Sequence, residues 1–409
     1  MYNIKLEDYI PEPKPAKSDR IVAAHYYAAW KKGAAGLHDG FDDLHDFPER
    51  TPLMGYYDEE NPEVCDWEIK WASEHGINCF IYCWYRKPEF VGKPVTYEAL
   101  RCGHGIHEAM FNAKFQKHIN FAIMLENLPR WGNTDEKDLL ENLMPFWTQT
   151  YFKRENYLKI DNKPVLFVFF PQRLRNSFDS PEHQKRVFDA CREYAKTQGF
   201  DGMIFAYCTT MYRYENVNMT QVHEENLACG YDFCFGYSNR YDAQADFPSQ
   251  EEIIDGQIKA TEKELDADPN TFTPTVTCFR DSTPRFSQKW IDQGYHFYKE
   301  KRWYATPESF REIIKRTKEL TDKLPDGAWG KKFISIDNWN EWDEGHYVSP
   351  SHEFGFKYLQ AIREELTERD NLPDYRTPQD IGLSDFNKSW GEPDLSEVCE
   401  KKFNLKKMK

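Results

Sequence analysis

Continuous runs of apolar residues recur along the chain at regular intervals. The eight runs are Ile21–Tyr27, Ile77–Tyr85, Ile119–Leu125, Pro164–Phe170, Met203–Tyr207, Tyr231–Tyr237, Thr273–Phe279 and Phe333–Ile336. Apolar residues occupy consecutive positions in these runs and do not alternate with polar ones. This pattern predicts strands that are buried on both faces, as in parallel sheets.

Helix-start signals lie between the runs. Three of them consist of a small polar residue, then proline, then glutamate: Asn61-Pro62-Glu63, Ser180-Pro181-Glu182 and Thr306-Pro307-Glu308. Ser249 with Glu252 forms a capping box, and Gly76 is placed to end the helix that begins after Asn61. Strands and helices that alternate in this way predict a single α/β domain, a (β/α)8 TIM barrel.

A doubly wound sheet is the competing fold. Its phosphate-binding G-x-G-x-x-G turn should follow the first strand, and it does not occur there. The boundaries that we predict are an N-terminal arm at residues 1–19, the catalytic barrel at 20–370, and a C-terminal tail at 371–409 packed on the barrel. The long connections after strands one and seven should gather at the C-terminal face of the barrel, where sites are built.

Composition narrows the choice of partners. The formal net charge of −15 offers no basic surface for phosphates, so no nucleic-acid partner is predicted. No apolar stretch reaches the ~18 residues of a membrane span. The N-terminus lacks the apolar core of a signal peptide, which predicts a cytoplasmic protein, or a periplasmic or secreted one if a leader has been removed. No C-x-x-C motif occurs among the ten cysteines, and several lie in apolar runs, which favours free thiols.

The segment "NWNEWDEGHY", residues 338–347, follows the last predicted strand and carries the candidate chemistry. A helical turn would bring Glu341 and Glu344 to within ~5–6 Å, with Gly345 providing a sharp exit. Trp339 and Trp342 could then form an apolar wall. Paired carboxylates with aromatic platforms are typical of glycoside hydrolysis, and a separation near ~5 Å favours retention of configuration. The alternative is that one glutamate only pairs with a cation or caps backbone amides.

Several motifs together resemble the WbsX-type, glycoside hydrolase family 99-like proteins. They are "NWNEWDEGHYVSP", "MGYYDEENPEVCDWEIKWASEHGINCFIYCWY", the Phe279–Arg285 stretch and "YFKRENYLKIDNKPVLFVF", which together span roughly residues 20–370. Ser349-Pro350 stands where the family has Glu-Pro, and Ser282 stands where it has Asn.

The resemblance implies a barrel that acts on an oligosaccharide or polysaccharide. The glycoside hydrolases of family 99 are endo-acting α-mannosidases, and their mechanism passes through a 1,2-anhydro sugar. On this pattern, Glu341 is the base for the 2-hydroxyl of the sugar and Glu344 is the general acid. The alternatives are a WbsX-type glycosyltransferase for cell-surface polysaccharide and a carbohydrate-binding protein without catalytic activity.

Residues near the ends of the predicted strands are candidate substrate contacts. They are Tyr26, Tyr27, Trp84, Tyr85, Glu126, Asn127 and Tyr237, joined by Asp281, Arg285, Asn340, Trp342 and His346. Asp281 and Arg285 could instead form an ion pair that braces their loop. His104 and His107 lack a nearby third ligand, and Asp266-Ala-Asp268 is typical of a solvated turn. No metal and no cofactor are predicted.

Overall fold

The computed structural model describes residues 9–31, 40–210, 212, 217–238, 248–286, 303–383 and 386 of the chain. Eight parallel strands form its centre. They are β1 (Ile21–Tyr26), β2 (Cys79–Arg86), β3 (Asn120–Glu126), β4 (Lys163–Val168), β5 (Ile204–Cys208), β6 (Phe233–Phe235), β7 (Thr275–Thr277) and β8 (Phe333–Asp337). Each strand lies within or overlaps one of the eight apolar runs, so the strand prediction is confirmed.

The strands pair in the order β6-β5-β4-β3-β2-β1-β8-β7. Between β6 and β7 the ring closes through an isolated parallel bridge from Cys234 to Phe272. The Thr275 side chain adds to this closure, because its Oγ1 accepts from Gly236 N at 2.9 Å and lies 2.8 Å from Gly236 O. The fold is therefore a (β/α)8 barrel, as predicted.

Six α-helices of ten or more residues lie in the described connections. They are α1 (Pro62–Glu74), α2 (Pro181–Thr197), α3 (Met219–Ala228), α4 (Gln250–Ala267), α5 (Pro307–Asp322) and α6 (Lys357–Leu366). The side chains of Asn61, Ser180 and Thr306 cap α1, α2 and α5, and Ser249 with Glu252 forms the capping box of α4. The predicted helix starts are confirmed.

Shorter helical segments complete the layer around the strands. The α-helical ones are Glu136–Asp138, Met144–Trp147, Pro171–Arg175, Trp329–Lys332 and Pro378–Ile381, and the π-helical ones are Gly105–Met110, Leu139–Leu143 and Thr148–Phe152. The 3-10 turns are Gly40–Leu44, Pro48–Arg50, Pro88–Phe90, Tyr97–Ala99, Gln116–His118 and Thr283–Phe286.

Four two-stranded antiparallel pairings accompany the barrel. Leu100–Arg101 pairs with β2, and Lys159–Ile160 pairs with β4. Phe279–Arg280 pairs with Trp303–Tyr304, and Asn340–Glu341 pairs with His346–Tyr347. The last two pairings follow β7 and β8, and they shape the candidate site.

The ends of the described chain contact α1. Ala16 N donates to Ser73 O at 2.9 Å, and Trp71 Nε1 donates to Arg376 O at 3.2 Å. The domain boundaries at residues 19 and 370 stay predictions. Nine cysteines fall within the described ranges, and all of them are free thiols. Within the same ranges, no helix combines the length and the apolar character needed to cross a bilayer.

Candidate active site

The chain leaves β8 through a cis Asp337–Asn338 peptide bond and enters a β-hairpin. In this hairpin, Asn340 pairs with Tyr347 and Glu341 pairs with His346. Residues 342–345 form its turn, in which Gly345 N donates to Trp342 O at 3.3 Å. Glu341 and Glu344 are therefore brought together by a hairpin turn, and the predicted helical turn is wrong.

Gly345 is required at the end of this turn. Its φ of +66° lies in the left-handed region, where a β-carbon is unfavourable. A β-carbon at this position would also lie 2.8 Å from both the N and the O of Asp281 and 3.1 Å from Arg50 Nη1. The turn therefore lies directly against the backbone at Asp281.

One oxygen of Glu341, one oxygen of Glu344 and one nitrogen of His346 lie within 4.8 Å of one another. The shared neighbour is His346 Nε2, which is 3.3 Å from Glu341 Oε2 and 2.9 Å from Glu344 Oε2. Glu341 and His346 are buried, and the Glu344 side chain is 16% exposed. The two carboxylates thus share one partly desolvated cluster.

Glu341 accepts hydrogen bonds from the neighbouring strand ends. Tyr237 Oη, after β6, donates to Glu341 Oε2 at 2.5 Å, and Asn338 Nδ2 donates to the same oxygen at 3.2 Å. Asn338 Nδ2 also donates to Tyr237 Oη at 2.8 Å, so the three side chains form a closed triangle. Burial, with the charge of Glu341 as a further cause, keeps the pKa of Tyr237 well above its ordinary value. Tyr237 therefore remains a donor.

Glu344 lies between a guanidinium and an imidazole. Arg280 Nη2 is 2.8 Å from Glu344 Oε2, and Arg280 Nη1 is 3.2 Å from His346 Nε2. On the far side of the ring, His346 Nδ1 is 2.8 Å from Asp337 Oδ1. A carboxylate at Nδ1 places a ring proton there, and this assignment leaves Nε2 as an acceptor when the imidazole is neutral.

The atoms of Glu341, Glu344 and His346 are also of the types that bind metal ions. Arg280, however, contacts both Glu344 Oε2 and His346 Nε2, and it supplies a fixed positive charge at the position of such an ion. The geometry fits an ion-pair network better than a metal site.

Glu126, Cys83 and Tyr85 border the cluster from β2 and β3. Burial, and then the charge of Glu341, hold the pKa of Glu126 well above its ordinary value. Its Oε2 is shielded from solvent and has no hydrogen-bond partner among the described residues. Cys83 Sγ lies 3.9 Å from Tyr237 Oη, which links β2 to the Glu341 triangle. Burial therefore favours the protonated form of Glu126, and the described residues leave part of its hydrogen-bonding capacity unused.

The structure does not bring Tyr26 and Trp84 to this cluster. Tyr26 Oη donates to Glu68 of α1 at 2.7 Å, and Trp84 Nε1 donates to Tyr151 Oη at 3.1 Å. Both side chains point from their strands into the helical layer, because successive strand residues face opposite sides. Their predicted location at the mouth is wrong.

Three fully buried side chains attach the hairpin to the rest of the protein: Trp339, Asn340 and Trp342. Trp342 Nε1 donates to Tyr57 Oη at 3.1 Å, and Trp339 Nε1 donates to Glu68 Oε1 at 3.0 Å. Asn340 accepts from the backbone N of Tyr27 and donates to Glu59. The predicted tryptophan wall is therefore corrected: these indoles anchor the hairpin to the first part of the chain.

Asn127 also binds backbone in the structure. It accepts from Phe170 N at 2.9 Å and donates to Phe170 O at 3.0 Å, which ties the end of β3 to the segment after β4. Tyr27 and Tyr85 lie edge to face, with ring centroids 6.4 Å apart, and the charge of Glu341 contributes to a raised pKa of Tyr85. Of the two adjacent aromatic pairs predicted for the mouth, Tyr26–Tyr27 and Trp84–Tyr85, only Tyr27 and Tyr85 lie toward the Glu341 cluster.

Asp281 forms its ion pair with Arg50, at 2.6 Å, and its backbone N donates to Glu344 O at 2.9 Å. The predicted pair of Asp281 with Arg285 stays a prediction. The side chain of Arg285, the predicted partner, lies outside the described residues.

Three residues that contact the two glutamates or their histidine were not predicted from the sequence: Arg280, Asp337 and Asn338. Asp337 and Asn338 directly follow the last apolar run, and Arg280 lies in the Phe279–Arg285 stretch. Position at the C-terminal end of a barrel strand is the signal that could have identified all three.

The matching family model, "Glycosyltransferase WbsX", covers residues 30–362, most of the chain. The chain belongs to the WbsX family. Two curated relatives are both the "Uncharacterized protein WxcX", from two strains of Xanthomonas campestris pv. campestris. Each is 20% identical over 398 residues, which cover 90% of this chain and 50% of the relative. This WbsX chain therefore spans about half the length of the curated relatives that it matches.

Two solved structures of the GH99 endo-alpha-mannosidase from Bacteroides thetaiotaomicron resemble this WbsX chain in fold. One is 14% identical with a TM-score of 0.56, covering 85% of this chain and 96% of that one. The other is 15% identical with a TM-score of 0.50, covering 85% and 97%. At this identity the comparison supports the fold, which agrees with the barrel described above.

The other candidate metal motifs of this WbsX chain have structural partners. His104 Nε2 lies 3.2 Å from Glu59 Oε2, whereas His107 Nε2 contacts Tyr151 Oη at 2.8 Å, so the two histidines serve different networks. Asp268 accepts from the backbone N of Asn270 and of Thr271 beyond the end of α4. Asp268 therefore organises a turn.

Proposed function

We propose that this WbsX chain cleaves glycosidic bonds of an oligosaccharide or polysaccharide with retention of configuration. The observation that carries the proposal is the placement of Glu341 and Glu344, whose nearest oxygens lie no more than 4.8 Å apart. Carboxyl groups ~5–5.5 Å apart are typical of retaining enzymes, whereas inverting enzymes need ~6.5–9.5 Å for a water molecule. We further propose an α-mannoside-like linkage, on the resemblance to the family 99 enzymes.

In the first step of the proposed reaction, Glu341 removes the proton of the 2-hydroxyl. The 2-oxygen attacks the anomeric carbon, the bond to the leaving oxygen breaks, and Glu344 gives that oxygen a proton. In the second step Glu344 takes a proton from water, which opens the 1,2-anhydro ring, and Glu341 returns its proton to the 2-oxygen. Tyr237 and Asn338 support this role, because their donors fix Glu341 as an acceptor.

The neighbours of Glu344 suit a group that must be an acid first and a base afterwards. Arg280 Nη2, at 2.8 Å, places a positive charge beside Glu344 Oε2. His346 Nε2 lies 2.9 Å from the same oxygen. These two contacts hold the carboxyl group of Glu344 in place through both steps. Glu126, whose pKa is raised by burial and then by the charge of Glu341, is assigned to hydrogen-bond a sugar hydroxyl beside Glu341.

The test is hydrolysis of a glycan library by the wild-type protein and by Glu341→Gln and Glu344→Gln, with products followed by mass spectrometry. Each substitution should lower turnover by a factor of about 10² to 10⁴, because it removes proton transfer. Glu319→Gln, at an exposed position of α5, is the matched control and should retain activity. Inversion of the anomeric centre in the product NMR spectrum would contradict the assigned pair.

The second candidate is a glycosyltransferase, and the description of the family model favours it. Asp266-Ala-Asp268 does not support it, since Asp268 is engaged with backbone amides of its own turn. Transfer of a sugar from a nucleotide donor to an acceptor, without hydrolysis of any glycan, would decide for this candidate.

A further inference from the structure

A cavity of about 490 Å³ lies beside the catalytic hairpin, on the far side of Asp281. Four parts of the described chain line it: residues 49–50 before α1, Pro248 and Gln250 at the start of α4, the Phe279–Asp281 and Trp303–Tyr304 segments after β7, and residues 353–354 after the hairpin. Its volume falls within the range of about 300–1,000 Å³ that is usual for sites of small ligands.

The wall of this cavity abuts the residue that we assign as the general acid. Asp281 N donates to Glu344 O at 2.9 Å, and Arg50 pairs with Asp281 at 2.6 Å. Gly345 packs so closely on Asp281 and Arg50 that no side chain fits between them. A molecule held in the cavity would therefore lie one layer of backbone away from the catalytic turn.

Tyr304 gives the cavity an exposed aromatic face. Its residue surface is 52% exposed, although few large hydrophobic residues of the described chain are exposed at all. Phe354 lies behind it, with ring centroids 6.5 Å apart, and Phe354 packs in turn on Phe279 at 5.8 Å. An exposed ring supported from behind is suited to stack on the apolar face of a sugar ring.

The charges of the lining restrict what this cavity can bind. Its described lining includes the carboxylates of Glu49, Asp281 and Glu353 and the guanidinium of Arg50, which pairs with Asp281. Glu49 Oε2 is shielded from water and has no partner within the described residues, so a rotation toward the cavity would let it accept from a sugar hydroxyl. A uronate, a sugar phosphate or a nucleotide sugar would meet like charge here.

We propose that this cavity is a second sugar-binding subsite, which holds a neutral sugar unit of the same glycan some distance from the bond that is cleaved. The substrate is then an uncharged chain of several sugars. This inference rests on the proposed function for its meaning, but binding in the cavity can be measured without any turnover.

The experiment measures glycan binding by the Glu344→Gln variant, on an array of neutral and acidic oligosaccharides and then by titration calorimetry. We expect neutral oligosaccharides to bind and acidic ones of equal length to bind at least about tenfold more weakly, from repulsion by the lining. Adding Tyr304→Ala should weaken binding of the longer neutral chains roughly fivefold to tenfold. Tyr97→Ala is the matched control, because Tyr97 is 50% exposed and does not line the cavity.

Equal affinity before and after Tyr304→Ala would overturn the subsite, and so would a loss of the same size in Tyr97→Ala. Preference for acidic glycans, or no binding to any member of the array, would also overturn it. Binding that depends on Tyr304, together with no cleavage by the wild-type protein, would leave the subsite standing and would contradict the hydrolase assignment.

Discussion

Two fully buried carboxyl groups, those of Glu59 and Glu68, lie behind the hairpin that carries Glu341 and Glu344. Glu68 accepts from Tyr26 and from Trp339, and Glu59 accepts from Asn340 and from the backbone N of Trp30. Burial, and next the charge of Glu59, raise the pKa of Glu68 to about 8. Burial likewise raises the pKa of Glu59 well above its ordinary value. Burial therefore favours the protonated form of both residues, which anchor the hairpin through hydrogen bonds.

The raised pKa of Glu68 makes stability depend on pH. Between the ordinary value of 4.5 and about 8, the folded chain binds more protons than the unfolded one, so the free energy of unfolding falls as pH rises through this window. Glu68→Gln removes this titration and should flatten the curve, most visibly near its upper end. Urea unfolding between about pH 5 and pH 9 measures the slope. Glu319→Gln, at an exposed site, should leave it unchanged, and an equal slope in Glu68→Gln would contradict the assignment.

At the scale of the element, the hairpin that carries Glu341 and Glu344 is held at both ends. Trp339 N donates to the backbone O of His25 at 2.7 Å, and Val348 N donates to Asn338 O at 2.9 Å. The turn at residues 342–345 rests on Asp281 and Arg50 through Gly345. The position of Glu344 thus depends on a contact that only glycine permits.

Gly345→Ala and Gly355→Ala form a matched pair that isolates this contact. Both glycines have positive φ, +66° and +55°, but a β-carbon on Gly355 would meet nothing within 4 Å. We expect Gly355→Ala to lower the free energy of unfolding by about 1–2 kcal/mol, the cost of the backbone conformation. Gly345→Ala should lower it by a further ~1–3 kcal/mol through overlap with Asp281, and should reduce turnover. Chemical denaturation of both variants measures the difference.

Sequence patterns predict the elements of this fold whose signals are local. The apolar runs and the capping residues predicted the strands and the helix starts, because both signals are local. The predicted orientation of Trp339 and Trp342 was wrong, because the direction of each indole depends on an acceptor far along the chain, Glu68 or Tyr57. A buried indole N–H needs such a partner, and no local pattern shows which side will provide it.

At the scale of the whole molecule, the barrel closes where β6 meets β7. The backbone pairing there is limited to an isolated bridge, and the side chain of Thr275 contributes contacts to Gly236 and to Ser335 Oγ, the latter at 2.7 Å. The sequence predicted eight strands but not this seam, because both strands are only three residues long in the structure.

Thr275→Val tests the closure, since valine keeps the shape and removes the hydroxyl. The variant leaves the buried Gly236 N without its acceptor, so the free energy of unfolding should fall by about 2–3 kcal/mol. Thermal and urea unfolding measure the change. Thr220→Val, at an exposed position of α3, is the control and should shift stability by less than about 0.5 kcal/mol. A similar shift in both variants would show that the hydroxyl of Thr275 does not contribute to closure.

The hairpin that carries Glu341 and Glu344 is attached to the first part of the chain, and this has a consequence for synthesis. The segment with Glu341 and Glu344 emerges from the ribosome long after His25, Glu59 and Glu68. These three residues therefore lack their hydrogen-bond partners in the hairpin until synthesis is nearly complete. Until then, the two early carboxyl groups can remain hydrated and ionised. Completion of the fold therefore buries them with uptake of protons, which makes the final folding step easier in a mildly acidic environment than in an alkaline one.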